Sequence, residues 1–274
     1  MQENRKRTIR MEADSFRGKC QVSRYGIIDL FKECEKFNYK LLRYPLGENA
    51  DLGFAVKKDN DIIIFTNSSS RLSREIFTLA HEIGHIVLHF QENNAFIDDK
   101  VTISERHLGE KEKEANYFAA CLLMPEDEVL KFIDFEIPNA EKNGLSAMDI
   151  ARIMSEFNVS FDMALNRLED LKIIDADQKN CLNDVKNEKK VGNLLRCVGN
   201  GIYLNTPAEV IDIPHEYLEY VIYNYNHQAI PKETLERALE YCRLNVEDIS
   251  DVLVKPNEPD EDEILKDLMG GLED

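Results

Sequence analysis

The chain has 274 residues, with 52 acidic against 34 basic side chains and a formal net charge of −18. That balance argues against general affinity for a nucleic-acid backbone, which needs an excess of Lys and Arg, and favours attraction of a basic protein partner. The length suits one good-sized domain plus a smaller module, and no segment approaches the roughly 18 apolar residues of a membrane span.

Residues 1–20 open with MQENRKRTIRMEADSF, which is basic and lacks the apolar run of a signal peptide. They read as a flexible basic arm. GIIDLFKECEKFN follows, with Ile27, Leu30, Phe31 and Cys34 at helical spacing. Three short runs, YKLLRYP, LGFAVKK and DIIIFTN, are separated by LGENAD and KDND, which predicts a small antiparallel sheet. DIIIFTN is β-branched and nearly unbroken, so burial on both faces is expected of it.

SSSRLSREIFTLAHEIGHIVLHF reads as a helix with an N-cap from Ser68–Ser70, and QENNAFIDDKVTISERHLG as a loop. EKEKEANYFAACLLM is a second helix that Pro125 ends, and EDEVLKFIDFEI a shorter third. LSAMDIARIMSEFNVSFDMALNRLEDLKII predicts two helices joined by a turn around Asn158–Ser160. Residues 146–172 carry three basic and five acidic side chains, a poor surface for DNA, so a helix pair that only packs is expected. Residues 176–190 read as a polar linker and 191–254 as a C-terminal α/β module with a hairpin across Gly199–Asn200–Gly201. Residues 255–274 form an acidic tail. The class is α+β. The six cysteines, at 20, 34, 121, 181, 197 and 242, include no C-x-x-C pair, as expected of a reduced, cytoplasmic protein.

The chemistry concentrates at FTLAHEIGHIVLHF, residues 77–90. Positions i and i+4 share a helix face, so His81 and His85 present two imidazoles one turn apart, able to share one ion. Glu82 cannot easily bind the same ion but can reach a water on it. This is the H-E-x-x-H arrangement, with the Glu as general base. Gly84 costs the helix about 1 kcal/mol relative to Ala, which points to close approach by another element, such as a strand under the site.

A catalytic site needs a third protein ligand. The candidates are His89, His107, Glu110, Glu112 and Glu114. His89 lies ~12 Å along the helix from His81, too far for one ion, and reads as a capping or packing histidine. Geometry does not exclude His107. The EKEKEAN helix is the better source: Glu112 can bind the metal while Asn116, at i+4, orients a ligand His through its other ring nitrogen. Glu114 points away from Glu112 and is expected to be solvated.

REIFTLAHEIGHIVLH, followed some twenty residues on by EKEANYFAACLLMP, resembles the ImmA/IrrE family of metallo-endopeptidases over about residues 21–175. That family shows R-x-x-F-T-x-A-H-E-x-G-H and E-x-E-A-N-x-F-A-x-x-L-L-M-P helices. Cys121 stands where a Glu is frequent, and the C-terminal module falls outside the likeness. The resemblance implies a compact gluzincin-like fold, with zinc held by His81, His85 and Glu112 and with Glu82 as the base. Bound zinc would acidify a water; manganese is the other candidate ion. Tyr117, Arg74 and His107 are candidates for a second oxyanion donor, and an extended substrate could add to the sheet edge.

The resemblance also implies a substrate: a transcriptional repressor with a helix-turn-helix domain, cut to release stress, mobile-element or defence genes. The alternative is an interaction protein that binds a regulator without cutting it.

Overall fold

The structure is a computed structural model and describes residues 1–47, 49–50, 52–58, 61–90, 105–138, 140, 144–199 and 201–254. The chain divides into two units, Met1–Ile213 and Pro214–Asp274. The first unit is α+β, as the sequence predicts.

Residues 1–20 are not a free arm. Glu3–Arg17 is a helix, α1, whose Ile9, Ala13 and Phe16 are buried while Glu3, Arg7, Glu12 and Asp14 are exposed. The spacing of these three is that of one helix face. Phe16 stacks on Phe37 with ring centroids 4.0 Å apart and meets the edge of Phe118 at 6.4 Å. Helix α2, Leu30–Lys36, starts at Asp29, whose carboxylate accepts from the Phe31 and Lys32 amides.

The sheet holds β1, Tyr39–Tyr44, β2, Gly53–Lys58, and β3, Asp61–Asn67, in the order β1-β3-β2. It is mixed rather than antiparallel. β2 and β3 pair antiparallel from Gly53↔Thr66 to Lys58↔Asp61, whereas β1 and β3 run parallel from Tyr39↔Ile62 to Tyr44↔Asn67. The apolar DIIIFTN run is the central strand, with Ile64–Asn67 buried. A central strand draws two partners, and only the β2–β3 partnership is fixed by a short connection; β1 takes the other side. This leaves β2 on an edge.

Helix α3, Leu72–His89, lies on the sheet. Its N-cap is Arg71, with no side-chain cap, rather than a serine of 68–70. Those serines are engaged elsewhere: Ser68 donates to the Val210 carbonyl at 2.7 Å, and Ser69 Oγ accepts from the Gly47 amide at 3.0 Å. Arg43 of β1 clamps the buried Glu75 of α3 with two hydrogen bonds of 2.8 and 2.9 Å, and Thr66 Oγ1 donates to the same carboxylate at 2.9 Å. The Arg43 guanidinium also lies 3.7 Å from the Phe31 ring centroid. Removing one partner of so buried a pair costs about 3–5 kcal/mol, so this clamp fixes α3 against the sheet.

Helix α4, Glu105–Leu123, packs across α3 and α1. Its C-terminal carbonyls are satisfied by two arginines: Arg17 donates to Leu122 O, and the buried Arg167 donates to Met124 O at 2.9 Å. Helices α5, Glu126–Glu136, α6, Ala147–Phe157, and α7, Phe161–Asp170, follow. The α6–α7 pair turns at Asn158 (φ 55°) and buries Ile150, Ile153, Met154, Phe157, Phe161, Leu165 and Leu168 in the main core.

The expected linker at 176–190 is also a helix, α8, Ala176–Lys189, capped by Asp175 and burying only Leu182. No hairpin forms around 199–201. Helix α9, Val191–Cys197, and a 3-10 turn, Ile202–Asn205, flank Gly199 and Gly201, which take positive φ; Asn200 lies outside the described residues. The boundary before the second unit therefore falls after 213 instead of at 190. Residues 191–213 bury Leu194, Leu195 and Leu204 in the main core, and Asp212 exchanges two backbone hydrogen bonds with Arg43. In the second unit the described residues form α10, His215–Asn226, α11, Lys232–Tyr241, and a 3-10 turn, Val246–Ile249, around Leu235, Leu239 and Ile249. No strand occurs among them, contrary to the expected α/β module. The acidic tail and most of the expected 91–109 loop lie outside the described residues. No described helix is long and apolar enough to cross a membrane.

Replacing Phe16 with Ala is expected to cost about 3–5 kcal/mol and to lower the melting temperature by on the order of 10 °C. A thermal melt checks this. An unchanged melting temperature would mean that α1 does not pack as described.

Candidate metal and catalytic site

Helix α3 places His81, His85 and His89 along one face, and α4 crosses that face. The crossing is close because position 84 is glycine. A Cβ there would meet Ala115 Cα at 3.1 Å, Ala115 O at 3.2 Å and Phe118 Cδ1 at 3.1 Å. The element that needs the space is a helix, not the strand expected from the sequence. Beside Ala115, α4 carries Glu112 and Asn116 to the histidines.

The three ends meet. His81 Nε2 and His85 Nε2 lie 3.0 Å apart, and the Glu112 carboxylate places Oε2 3.1 Å from His81 Nε2 and Oε1 3.1 Å from His85 Nε2. Among the described residues these three form the only group of His, Cys, Asp or Glu placed to hold a metal. Neutral imidazole nitrogens and a carboxylate at such spacing repel unless a proton or a cation lies among them. The set also fits a cation on size: ligand bonds of about 2.0–2.1 Å in tetrahedral geometry give edges of about 3.3–3.4 Å, a few tenths longer than those present. The side chains of His81 and His85 are 14% and 18% exposed and that of Glu112 is 52% exposed, so the cluster opens toward solvent on the Glu112 side.

The remaining ring nitrogens are also engaged. His81 Nδ1 lies 3.0 Å from Asn116 Oδ1. The amide oxygen can only accept, so His81 carries its proton on Nδ1 and leaves Nε2 free for the cluster. His85 Nδ1 lies 3.1 Å from His89 Nδ1, and His89 Nε2 lies 3.1 Å from Glu114 Oε2. Burial, then the neighbouring His81, His89 and Lys111, push the His85 imidazolium down to about 3, so the ring stays neutral and able to ligate.

Glu82 sits behind this face, buried between α3 and β2. Burial and then the charge of Glu112 push its carboxyl up to about 7, while a backbone hydrogen bond from Ala55 opposes the shift. Strand β2 tracks α3 here: two strand residues advance about 6.7 Å, close to the 6 Å of four helix residues, so Gly53 meets Thr78 and Ala55 meets Glu82. Gly53 has no room for a Cβ, which would lie 2.6 Å from Thr78 Cγ2 and 2.7 Å from Phe65 O.

The other candidates are placed elsewhere. Glu110 and Arg74 are exposed. Lys6 lies 5.6 Å and Arg167 6.0 Å from the Tyr117 ring centroid, and the Tyr117 hydroxyl is hydrogen-bonded to Cys121, so Tyr117 packs away from the cluster. The side chain of His107 lies outside the described residues. Glu114 is not solvated as expected. It receives Arg5 Nε at 2.8 Å and Arg5 Nη2 at 2.5 Å, and that pairing holds its carboxyl below the usual range.

Two measurements follow from this geometry. Ala in place of Gly84 would add about 1 kcal/mol of helix propensity at an unconstrained site. Here overpacking against the Ala115 backbone should outweigh that, and a net loss of stability of about 1 kcal/mol or more is expected in denaturant melts. A gain would refute the close crossing. For Glu82, whose pKa is raised in the folded chain, ionisation opposes folding between its unfolded pKa of about 4.3 and about 7. Without metal, Glu82→Gln should therefore gain stability relative to the parent as pH rises through that window, then hold a constant margin above it. Parallel pH profiles would contradict the burial of an ionisable Glu82.

Among curated proteins, none matches the chain significantly. The family profile described as IrrE N-terminal-like domain matches residues 34–169, a stretch that contains α3, α4 and all three residues of the cluster. The chain thus belongs, through residues 34–169, to the ImmA/IrrE family of metallopeptidases.

Proposed function

We propose that the protein is a metal-dependent endopeptidase, with zinc as the resident ion, that cuts one protein: a transcriptional repressor with a helix-turn-helix domain. The observation that carries the peptidase reading is the convergence of His81 Nε2, His85 Nε2 and the Glu112 carboxylate within 3.0–3.1 Å, with buried Glu82 between the two histidines in sequence. His81, His85 and Glu112 would hold the ion, and Asn116 orients His81. Once bound, the ion would supply Lewis acidity toward a water and the scissile carbonyl.

Glu82 does the proton work. Its carboxylate takes a proton from the attacking water and passes it to the leaving amine. A carboxyl that titrates near neutrality suits both halves of that transfer. The exposed side of Glu112 admits substrate. The β2 edge, which runs past Glu82 at Ala55, can receive an extended peptide by backbone hydrogen bonds. Repressor choice is supported by charge and by the family: a chain of net charge −18 attracts the basic face of a DNA-binding domain. The same charge accords with a cytoplasmic enzyme that meets its partner in solution and does not itself bind DNA.

Intact-mass spectrometry of the zinc-loaded chain mixed with a helix-turn-helix regulator encoded beside its gene tests this reading. One new pair of fragments is expected. Glu82→Gln should slow their formation by about 10²-fold or more while zinc stays bound. A regulator that binds and is not cut would favour an interaction protein over a peptidase.

A further inference from the structure

The two ligand histidines are oriented by different means. His81 donates to Asn116 on α4. Among the described residues the partner of His85 Nδ1 is neither a carboxylate nor a carbonyl but another imidazole, His89, at 3.1 Å. Two ring nitrogens at that distance must share one proton. If His85 Nε2 faces the cluster as a lone pair, its proton is on Nδ1 and His89 Nδ1 accepts it. His89 then carries its own proton on Nε2, which points at Glu114 Oε2, 3.1 Å away. Glu114 receives that N–H on the oxygen that also takes Arg5 Nη2, while its other oxygen takes Arg5 Nε at 2.8 Å. Every hydrogen bond in the row therefore has one permitted direction.

We propose that His89, Glu114 and Arg5 are positioning residues of the metal centre: a relay from α1 through α4 to the end of α3 that fixes the ring and tautomer of His85. Ligating histidines ordinarily donate their second N–H to a carboxylate, a backbone carbonyl or water, and such outer partners are worth about 10–100-fold in metal affinity or activity. Here the carboxylate acts through a second imidazole that is 4% exposed. The arginine that pins it lies on α1, outside the 34–169 family match. Helix α1 is thus a working part of the centre and not only a packing element. Because Arg5 forks onto both Glu114 oxygens, it sets the plane of the carboxylate as well as its charge.

The proposal rests on the metal-centre reading above, and the test separates the two. Zinc affinity of the full chain is measured by competition with a chromogenic chelator, well below the melting temperature. The proteins are the parent, His81→Ala, Glu114→Gln, Arg5→Met and Arg5→Lys. Long-range ¹⁵N–¹H spectra of the zinc-loaded parent report the imidazole tautomers. Expected are a loss of about 10-fold or more for Glu114→Gln, a smaller loss for Arg5→Met that Arg5→Lys partly restores, and His89 as the Nε2–H tautomer. If the parent binds no zinc, or His81→Ala binds as well as the parent, the metal-centre reading fails and the relay with it. If His81 is required but Glu114→Gln and Arg5→Met bind like the parent, or His89 is the Nδ1–H tautomer, the relay alone is overturned. An Arg5–Glu114 pair that merely staples α1 to α4 would lower the metal-free melting temperature without moving affinity.

Discussion

Where α3 crosses α4, Gly84 lies against the backbone of Ala115, so close that a methyl group would sit 3.1 Å from Ala115 Cα, tighter than ordinary van der Waals contact. That contact sets the distance between two elements whose side chains must converge. His81 and His85 come from one helix by the i, i+4 repeat, but Glu112 comes from the other, and its carboxylate reaches both imidazoles only if the axes are this close. The same approach brings Asn116 to His81 and Glu114 to His89. A glycine unfavourable to an isolated helix is therefore the residue that permits the site.

The rest of unit Met1–Ile213 holds the crossing in place from each side. Below, Arg43 and Thr66 grip Glu75, and Gly53 lets β2 lie close enough for Ala55 to meet Glu82. On the far side of α4, α1 packs Ile9, Ala13 and Phe16 into the core and sends Arg5 to Glu114. At the end of α4, Arg17 and Arg167 close the last carbonyls where Pro125 stops the helix. Buried charge recurs at these joints and is paired each time. Glu82 is the exception, a buried carboxylate without a cationic partner among the described residues, and in the proposed peptidase it is the residue that moves a proton.

How much of this could be read in the sequence depended on range. The H-E-x-x-H pair and the turn at Asn158 are local and follow from helical period and turn chemistry. Within DIIIFTN, where Ile62 and Ile63 are half-buried and Asp61 is exposed, the burial of Ile64–Asn67 followed from composition alone. The parallel partnership of β1 and β3 did not, because strand order is settled by packing between distant segments. Helix α1 was obscured by its charge: Ile9, Ala13 and Phe16 mark a face, but Arg and Lys dominate the stretch. In α8, only Leu182 breaks a polar run, too little for a periodic signal. At the site, His89 stands two turns from His81, too far to share its ion, and its partner is His85 at i+4. Glu114 looked solvated because its partner, Arg5, stands 109 positions away.

The central claim, that one cation sits among His81, His85 and Glu112, is tested most directly by a crystal structure of the zinc-loaded chain with anomalous diffraction at the zinc edge. One peak is expected, about 2.0–2.1 Å from both Nε2 atoms and from a Glu112 oxygen. A peak at His89 and Glu114, or none at the His81–His85 pair, would contradict it.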